Sequence, residues 1–154
     1  MFLLMYDTGD RVVEKMFHDC LYYGAGFTSS PEVYGQSKDL YGKYMPLLSK
    51  LYGRRWVFDE NPIELPAGFK GNVFISREGN LTASIVGGMG RCAQRRSRPE
   101  TVSINSKEVR KVGRVMLHEP GEKPLSVKFS KKGENLKFDL RGGTVAAVAE
   151  LLQD

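Results

Sequence analysis

The sequence predicts a mainly β, α+β protein, with an N-terminal helical segment (residues 1–53) packed on a C-terminal antiparallel β-sandwich (residues 54–154). Three observations predict it. Up to Gly53, apolar side chains recur at three- and four-residue steps, the rhythm of one helix face. From Arg54 onward the rhythm shortens to two and is broken by Gly, Pro, Asn and Asp turns. The chain has 154 residues, 41% of them hydrophobic and 27% charged, enough to bury a core without disulfide staples.

The opening Phe2-Leu3-Leu4-Met5-Tyr6 reads as a short buried strand or the end of a loop. Asp7-Thr8-Gly9-Asp10 supplies helix-capping side chains. A helix over about 10–23 follows, with Val12, Val13, Met16, Phe17, Cys20 and Leu21 on one face. Gly24 and Gly26 end it. Ser30-Pro31 marks a second helix start, because proline at the first helical position lacks only an N–H that would be unpaired anyway. That helix runs to about Tyr52, and Pro46 should kink or split it near Tyr44-Met45.

Strands are expected at Trp56-Val57-Phe58, Gly71–Ser76, Leu81–Val86, Thr101–Ile104, Val112–His118, Leu125–Phe129, Leu136–Leu140 and Val145–Leu152. Between them lie turn signals at roughly 8–12-residue spacing, as in a sandwich or open barrel. The last segment, rich in Ala, Glu and Leu, has helical propensity. It is assigned as a strand because it follows the Gly142-Gly143 turn and completes a sheet series.

No apolar run approaches the ~20 residues of a membrane span, and the first six residues lack the length and basic flank of a secretion signal. The expected location is therefore cytoplasmic. The formal net charge is +5, and the excess falls entirely in residues 78–154, which raises the question of an acidic partner. Cys20 and Cys92 lack metal or redox spacing. Cys20 falls in the helical stripe as a small core residue, and whether the two pair is left open. No motif calls for a cofactor or a metal ion.

Several residue sets resemble the C-terminal end of a glycoside-hydrolase-like protein of the barrel-plus-sandwich kind. They are Phe17-His18-Asp19-Cys20-Leu21-Tyr22-Tyr23-Gly24, Tyr44-Met45-Pro46-Leu47-Leu48, Gly53-Arg54-Arg55-Trp56-Val57, Lys70-Gly71-Asn72-Val73-Phe74 and the closing Leu136–Leu140 and Val145–Val148 strands. The resemblance implies that residues 1–53 are the remnant of a barrel end. A whole barrel needs about 200 residues, so the catalytic carboxylate pair of such enzymes would lie on a missing part, and that barrel or another protein surface would be the partner.

Candidate chemistry is sparse. Asp7 and Asp10 would be active-site carboxylates if the first strand were a barrel strand, but a cap and a first-turn charge explain both. His18 and His118 have no neighbouring metal-spaced ligands, and Ser29, Ser30, Ser37 and Ser49 lack a nucleophile context. Gly87-Gly88-Met89-Gly90 lacks the Lys-Ser/Thr of a phosphate loop and reads as a connection. Arg91, Arg95, Arg96 and Arg98 form the sharpest charge cluster and suit anion binding. Without aromatics to stack on bases, a solvated loop explains them as well. Exposed Tyr22, Tyr23 or Trp56 would suit a carbohydrate, whereas Tyr41, Tyr44 and Trp56 suit packing of helices on the sheet. The first expectation is thus a non-catalytic accessory domain of a carbohydrate-active protein, giving structural support or glycan contact. The alternative is a nucleic-acid-binding module using the Arg91–Arg98 loop.

Overall fold

The computed structural model describes residues 2–5, 9–87 and 99–153. Strand β1 (Phe2–Met5) leads to helix α1 (Asp10–Tyr23), strand β2 (Gly26–Ser29), and helices α2 (Pro31–Gln36) and α3 (Lys38–Ser49). The expected first helix is therefore present, but its start differs. Gly9 occupies the cap position with no side-chain cap, and Asp7 lies outside the described residues. Asp10 is the first helical residue, and its carboxylate accepts a hydrogen bond from Ser37 Oγ at 3.0 Å. Gly24 closes the helix at φ +61°, where a Cβ would come within 2.5 Å of the Phe74 ring. Gly26 is no helix stop. It opens β2, which pairs in parallel with β1 from Phe2↔Gly26 to Met5↔Ser29. Composition hid this strand, because Gly-Phe-Thr-Ser reads as loop until its distant partner is known.

Ser30 caps the second helical stretch as expected, its Oγ accepting from Val33 N at 3.4 Å, with Pro31 in the first turn. The expected split at Pro46 is not there. The stretch divides at Ser37, and Pro46 lies inside α3. Pro46 stands on the exposed side, and the carbonyl it deprives of a donor belongs to exposed Gly42, where water can replace the lost bond.

The later strands, in chain order, are β3 (Arg55–Trp56), β4 (Ile63–Glu64), β5 (Phe69–Ile75), β6 (Leu81–Gly87) and β7 (Glu100–Asn105). After a 3-10 turn at Lys107–Lys111 come β8 (Val112–His118), β9 (Leu125–Val127), β10 (Phe129–Lys132), β11 (Asn135–Leu140) and β12 (Ala146–Gln153). They form two antiparallel sheets, β3-β5-β6-β12-β8-β9 and β10-β11-β7-β4. The single strand expected over Leu125–Phe129 is two, because the chain changes sheets at Lys128: Val127 pairs with Val115 and Phe129 with Phe138. The closing segment is a strand, antiparallel to both β6 and β8.

The two sheets enclose one core, with Leu81, Ile85 and Leu117 from the larger meeting Ile104, Leu136 and Phe138 from the smaller. On the outer side of the larger sheet, α1 and α3 bury a second cluster that includes Val13, Phe17, Leu21 and Tyr44 with Phe74 and Val148 of the sheet. Phe17 stacks on Tyr44 with centroids 5.0 Å apart and meets Tyr41 edge-on at 5.1 Å. The order of layers is helices, six strands, four strands.

A polar clamp ties the chain just past α3 to the larger sheet. Glu150 on β12 receives Lys50 at 3.1 Å, Arg54 at 3.4 Å and His118 Nε2 at 2.9 Å. Arg54 also donates to the carbonyls of Lys50 at 2.6 Å and Asn80 at 3.1 Å. His118, and after it Lys50, hold the Glu150 carboxyl at about 2, against an ordinary 4.5. Because the folded value is the lower one, the ionised group stabilises the fold fully above pH 4.5. That contribution is lost as pH falls from 4.5 through 2. Glu150→Gln is expected to flatten this part of an acid-denaturation profile and to cost about 3 kcal/mol at neutral pH, measured by urea unfolding. An unchanged acid limb would show that the clamp carries no stability.

Candidate functional site

Chemistry-bearing side chains gather in three places around the helix layer. The first is a buried relay. His18 on α1 is 5% exposed, and its Nε2 lies 2.9 Å from the Tyr44 hydroxyl. That hydroxyl donates to Glu14 Oε1 at 2.7 Å, so His18 presents Nε2–H to the Tyr44 oxygen. Burial pushes the His18 pKa below its ordinary 6.5, and burial with Glu14 alongside pushes that of Tyr44 up. Glu14 and Tyr44 open onto a cleft of about 430 Å³ that also holds Glu119 and Arg141. Glu119 is already engaged there by Arg141 and by the Thr144 hydroxyl. The cleft therefore brings three carboxylates, Glu14, Glu119 and Glu122, to one place, of which Glu14 is engaged by Tyr44 and Glu119 by Arg141 and Thr144.

The second place is the start of β5. Tyr22 and Tyr23 meet edge-on at 4.9 Å, and Lys70 Nζ sits 4.6 Å from the Tyr22 ring centroid. Asn72 Nδ2 donates to the Tyr22 carbonyl at 2.6 Å. Tyr22 thus has one ring face occupied, while Tyr23 is 45% exposed.

The third is the β3 edge. Trp56 packs on Phe74 at 5.6 Å, inclined 69°, and lies near-parallel to Phe58 at 6.3 Å and 17°. Phe58 is 89% exposed. Lys70, Asn72 and Phe74 are alternate residues of β5 and share one side of it. The tyrosine pair meets that side at Lys70 and Asn72, and Trp56 meets it at Phe74, so the two sets lie along one strand as separate ring pairs. Of the aromatics read as helix-to-sheet packing, Tyr44 is fully buried, and Tyr41 and Trp56 are packed against the same core.

Sequence reasoning missed Phe58 as a surface residue and Glu14 as a partner of His18. The first left a signal: in Trp56-Val57-Phe58, period two puts both rings on one side and Val57 on the other. The second left one too, because Glu14 and His18 are four residues apart on α1 and share a helix face, although the Tyr44 that bridges them lies 26 residues beyond His18. Arg91, Arg95, Arg96 and Arg98, with Cys92 and Gly88–Gly90, lie outside the described residues. Cys20 is a buried free thiol, raised by burial to about 11. Among the described residues no group of three His, Cys, Asp or Glu could hold a metal ion, and no helix is long and apolar enough to cross a membrane. The Asn80-Leu81-Thr82 sequon is built into the fold, with Thr82 fully buried and Asn80 Oδ1 accepting from Gln153 N.

No protein-family model matches the chain, and no curated protein matches it either. Solved structures do. A cycloisomaltooligosaccharide glucanotransferase from Paenibacillus sp., solved with cycloisomaltoheptaose, superposes on 94% of this chain with a TM-score of 0.66 at 8% identity. A GH27 β-L-arabinopyranosidase from Geobacillus stearothermophilus overlaps 95% of the chain at a TM-score of 0.45 and 14% identity. The catalytic domain of GH30 xylanase C from Talaromyces cellulolyticus overlaps 59% at 0.40 and 11% identity. The chain spans 27% of the glucanotransferase's length, 30% of the arabinopyranosidase's and 19% of the xylanase's. What the chain shares with the glucanotransferase is the fold, an α+β arrangement with helices on a β-sandwich, which there is part of a much longer chain.

The relay predicts a specific cost. Tyr44→Phe keeps the ring stack on Phe17 but strips His18 Nε2 and Glu14 of their common partner, which should cost about 1–3 kcal/mol in urea unfolding at pH 8. His18, with its folded pKa below 6.5, supports the fold fully above pH 6.5 and less as pH falls through its folded value. A Tyr44→Phe chain as stable as the parent at pH 8 would mean that the relay contributes nothing.

Proposed function

We propose that this chain is a non-catalytic accessory part of a larger carbohydrate-active protein of the glycoside-hydrolase kind, in which it buttresses a (β/α) barrel and contributes glycan contact. One observation carries the reading. Among the described residues, β1 and β2 pair in parallel only with each other, while α1, which connects them, buries its apolar face on α3 and the larger sheet. Parallel strands are found almost always in sheets covered on both faces, and two strands alone are marginal in water. Further parallel strands on the free edges of this pair would complete a sheet whose outer helices are already fastened to the sandwich. The shared fold with part of the glucanotransferase supports the same reading, and so does that enzyme's dealing with a cyclic glucan.

The reading is tested in the source organism. Antibody to this chain should detect a polypeptide several times longer than 154 residues. In that product, hydrogen exchange at the Phe2–Met5 and Gly26–Ser29 amides should be slowed relative to the isolated chain. A native product of 154 residues with both strands already protected would overturn the proposal.

A further inference from the structure

We infer that Trp56 and Phe58 form a surface binding platform for a neutral polysaccharide, with the Phe58 ring as the stacking face. The inference deepens the carbohydrate part of the proposed function and does not depend on the barrel.

Phe58 is almost wholly in water, at 89% exposure, yet the backbone on both sides of it is fixed. On one side Val57 packs into the inter-sheet core, and its N–H donates to the Val73 carbonyl at 2.9 Å. On the other, Asn105 Nδ2 donates to the Asn61 carbonyl at 3.2 Å, and Asn105 N to the Pro62 carbonyl at 2.9 Å. An exposed ring on a held backbone loses little freedom on binding. The Phe58 and Trp56 rings are stacked with their planes 17° apart, so Trp56 backs Phe58 and the exposed ring is the one presented. Trp56 is steadied from behind by Phe74, itself 1% exposed.

The surroundings select the ligand. A protein partner would want an apolar patch of some hundreds of Å². Here the ring pair is followed along the chain by exposed Asp59 and Glu60. A pyranose has the matching shape: a flat C–H face to lie on an aromatic ring, and a rim of hydroxyls that donate to carboxylates. The two carboxylates disfavour a polyanion, which leaves a neutral sugar polymer.

The test is affinity electrophoresis of the 154-residue chain through native gels containing dextran, soluble starch or xylan. Slowed migration in at least one gel, persisting at high salt, is expected. Phe58→Ala should weaken that retardation about tenfold while leaving the unfolding midpoint unchanged, and Phe58→Tyr should keep it. Migration unaltered by all three polysaccharides would overturn the assignment. So would retardation abolished by salt, or retardation equal in Phe58→Ala. None of these results bears on the length of the native polypeptide, so the barrel proposal stands or falls separately.

Discussion

The six-stranded sheet is covered on both faces, and that constraint governs most of the molecule. Residues Leu81–Val86 of β6 are all buried, as are Ala146–Ala149 of β12. A strand in that position has no solvent side, so alternation gives way to a nearly continuous apolar run. It also has little room. Ala83 and Ala149 face each other across the centre of the sheet, and a Cβ on Gly71 would collide with the Ser84 carbonyl. The polar residues on the helix-facing side are consequently expensive. The Thr82 and Ser84 hydroxyls find no hydrogen-bond partner among the described residues, a penalty of about 1–3 kcal/mol for each such buried group. The helix layer is held against this strip by the packing of Phe17 and Leu21 with Phe74, Val86 and Val148, the Asn72 bond to Tyr22 and the Glu150 clamp.

The same constraint explains which parts of the fold the sequence disclosed. Strand β11 has one face in water, and its Leu136, Phe138 and Leu140 alternate with exposed Lys137 and Asp139. Its period could be read directly. Strand β12 carries Ala-Ala-Val-Ala-Glu-Leu-Leu because both faces are covered, and periodicity cannot separate such a run from a buried helix. Its turn context decided it. The helix break at Ser37 left no periodic signal, and the bond its hydroxyl makes there is to Asp10, 27 residues earlier. Pro46 leaves the helix unsplit because the carbonyl it deprives of a donor, that of Gly42, is exposed to water. The candidate surface was half legible. Trp56 was named from its aromatic chemistry, but the exposure of Phe58 depends on where the helix layer stops.

The change of rhythm near Gly53 is a change of secondary structure within a continuously packed body. Phe74, Val86, Ala146 and Val148, all from the sheet, belong to the same buried cluster as Val13, Phe17 and Leu21 of α1. The helices are therefore bound to the sandwich by shared core as well as by chain connection. The parallel pair β1–β2 is tied to the helices, with the Tyr41 hydroxyl donating to Ser29 Oγ, but among the described residues its strands have no other sheet partner. On the proposed reading, this unevenness is what a buttress requires. The outer helices are fixed to a rigid sandwich, and the strands they carry are left to join a larger sheet.

Exposure at the β3 edge follows from the same geometry. The helices cover the middle of the larger sheet, and their cover thins toward its margin, where β3 contributes only two residues. Trp56 is half-covered at that margin and Phe58, two residues on, is uncovered. An aromatic residue placed there gains almost nothing from burial, at ~25 cal/mol per Å² removed from water. The chain that carries it is nevertheless tied down at Val57, which packs in the core, and again at Asn61, whose carbonyl accepts from Asn105. Folding stability alone gives no reason for a phenylalanine at such a position. A ligand that covers the ring does.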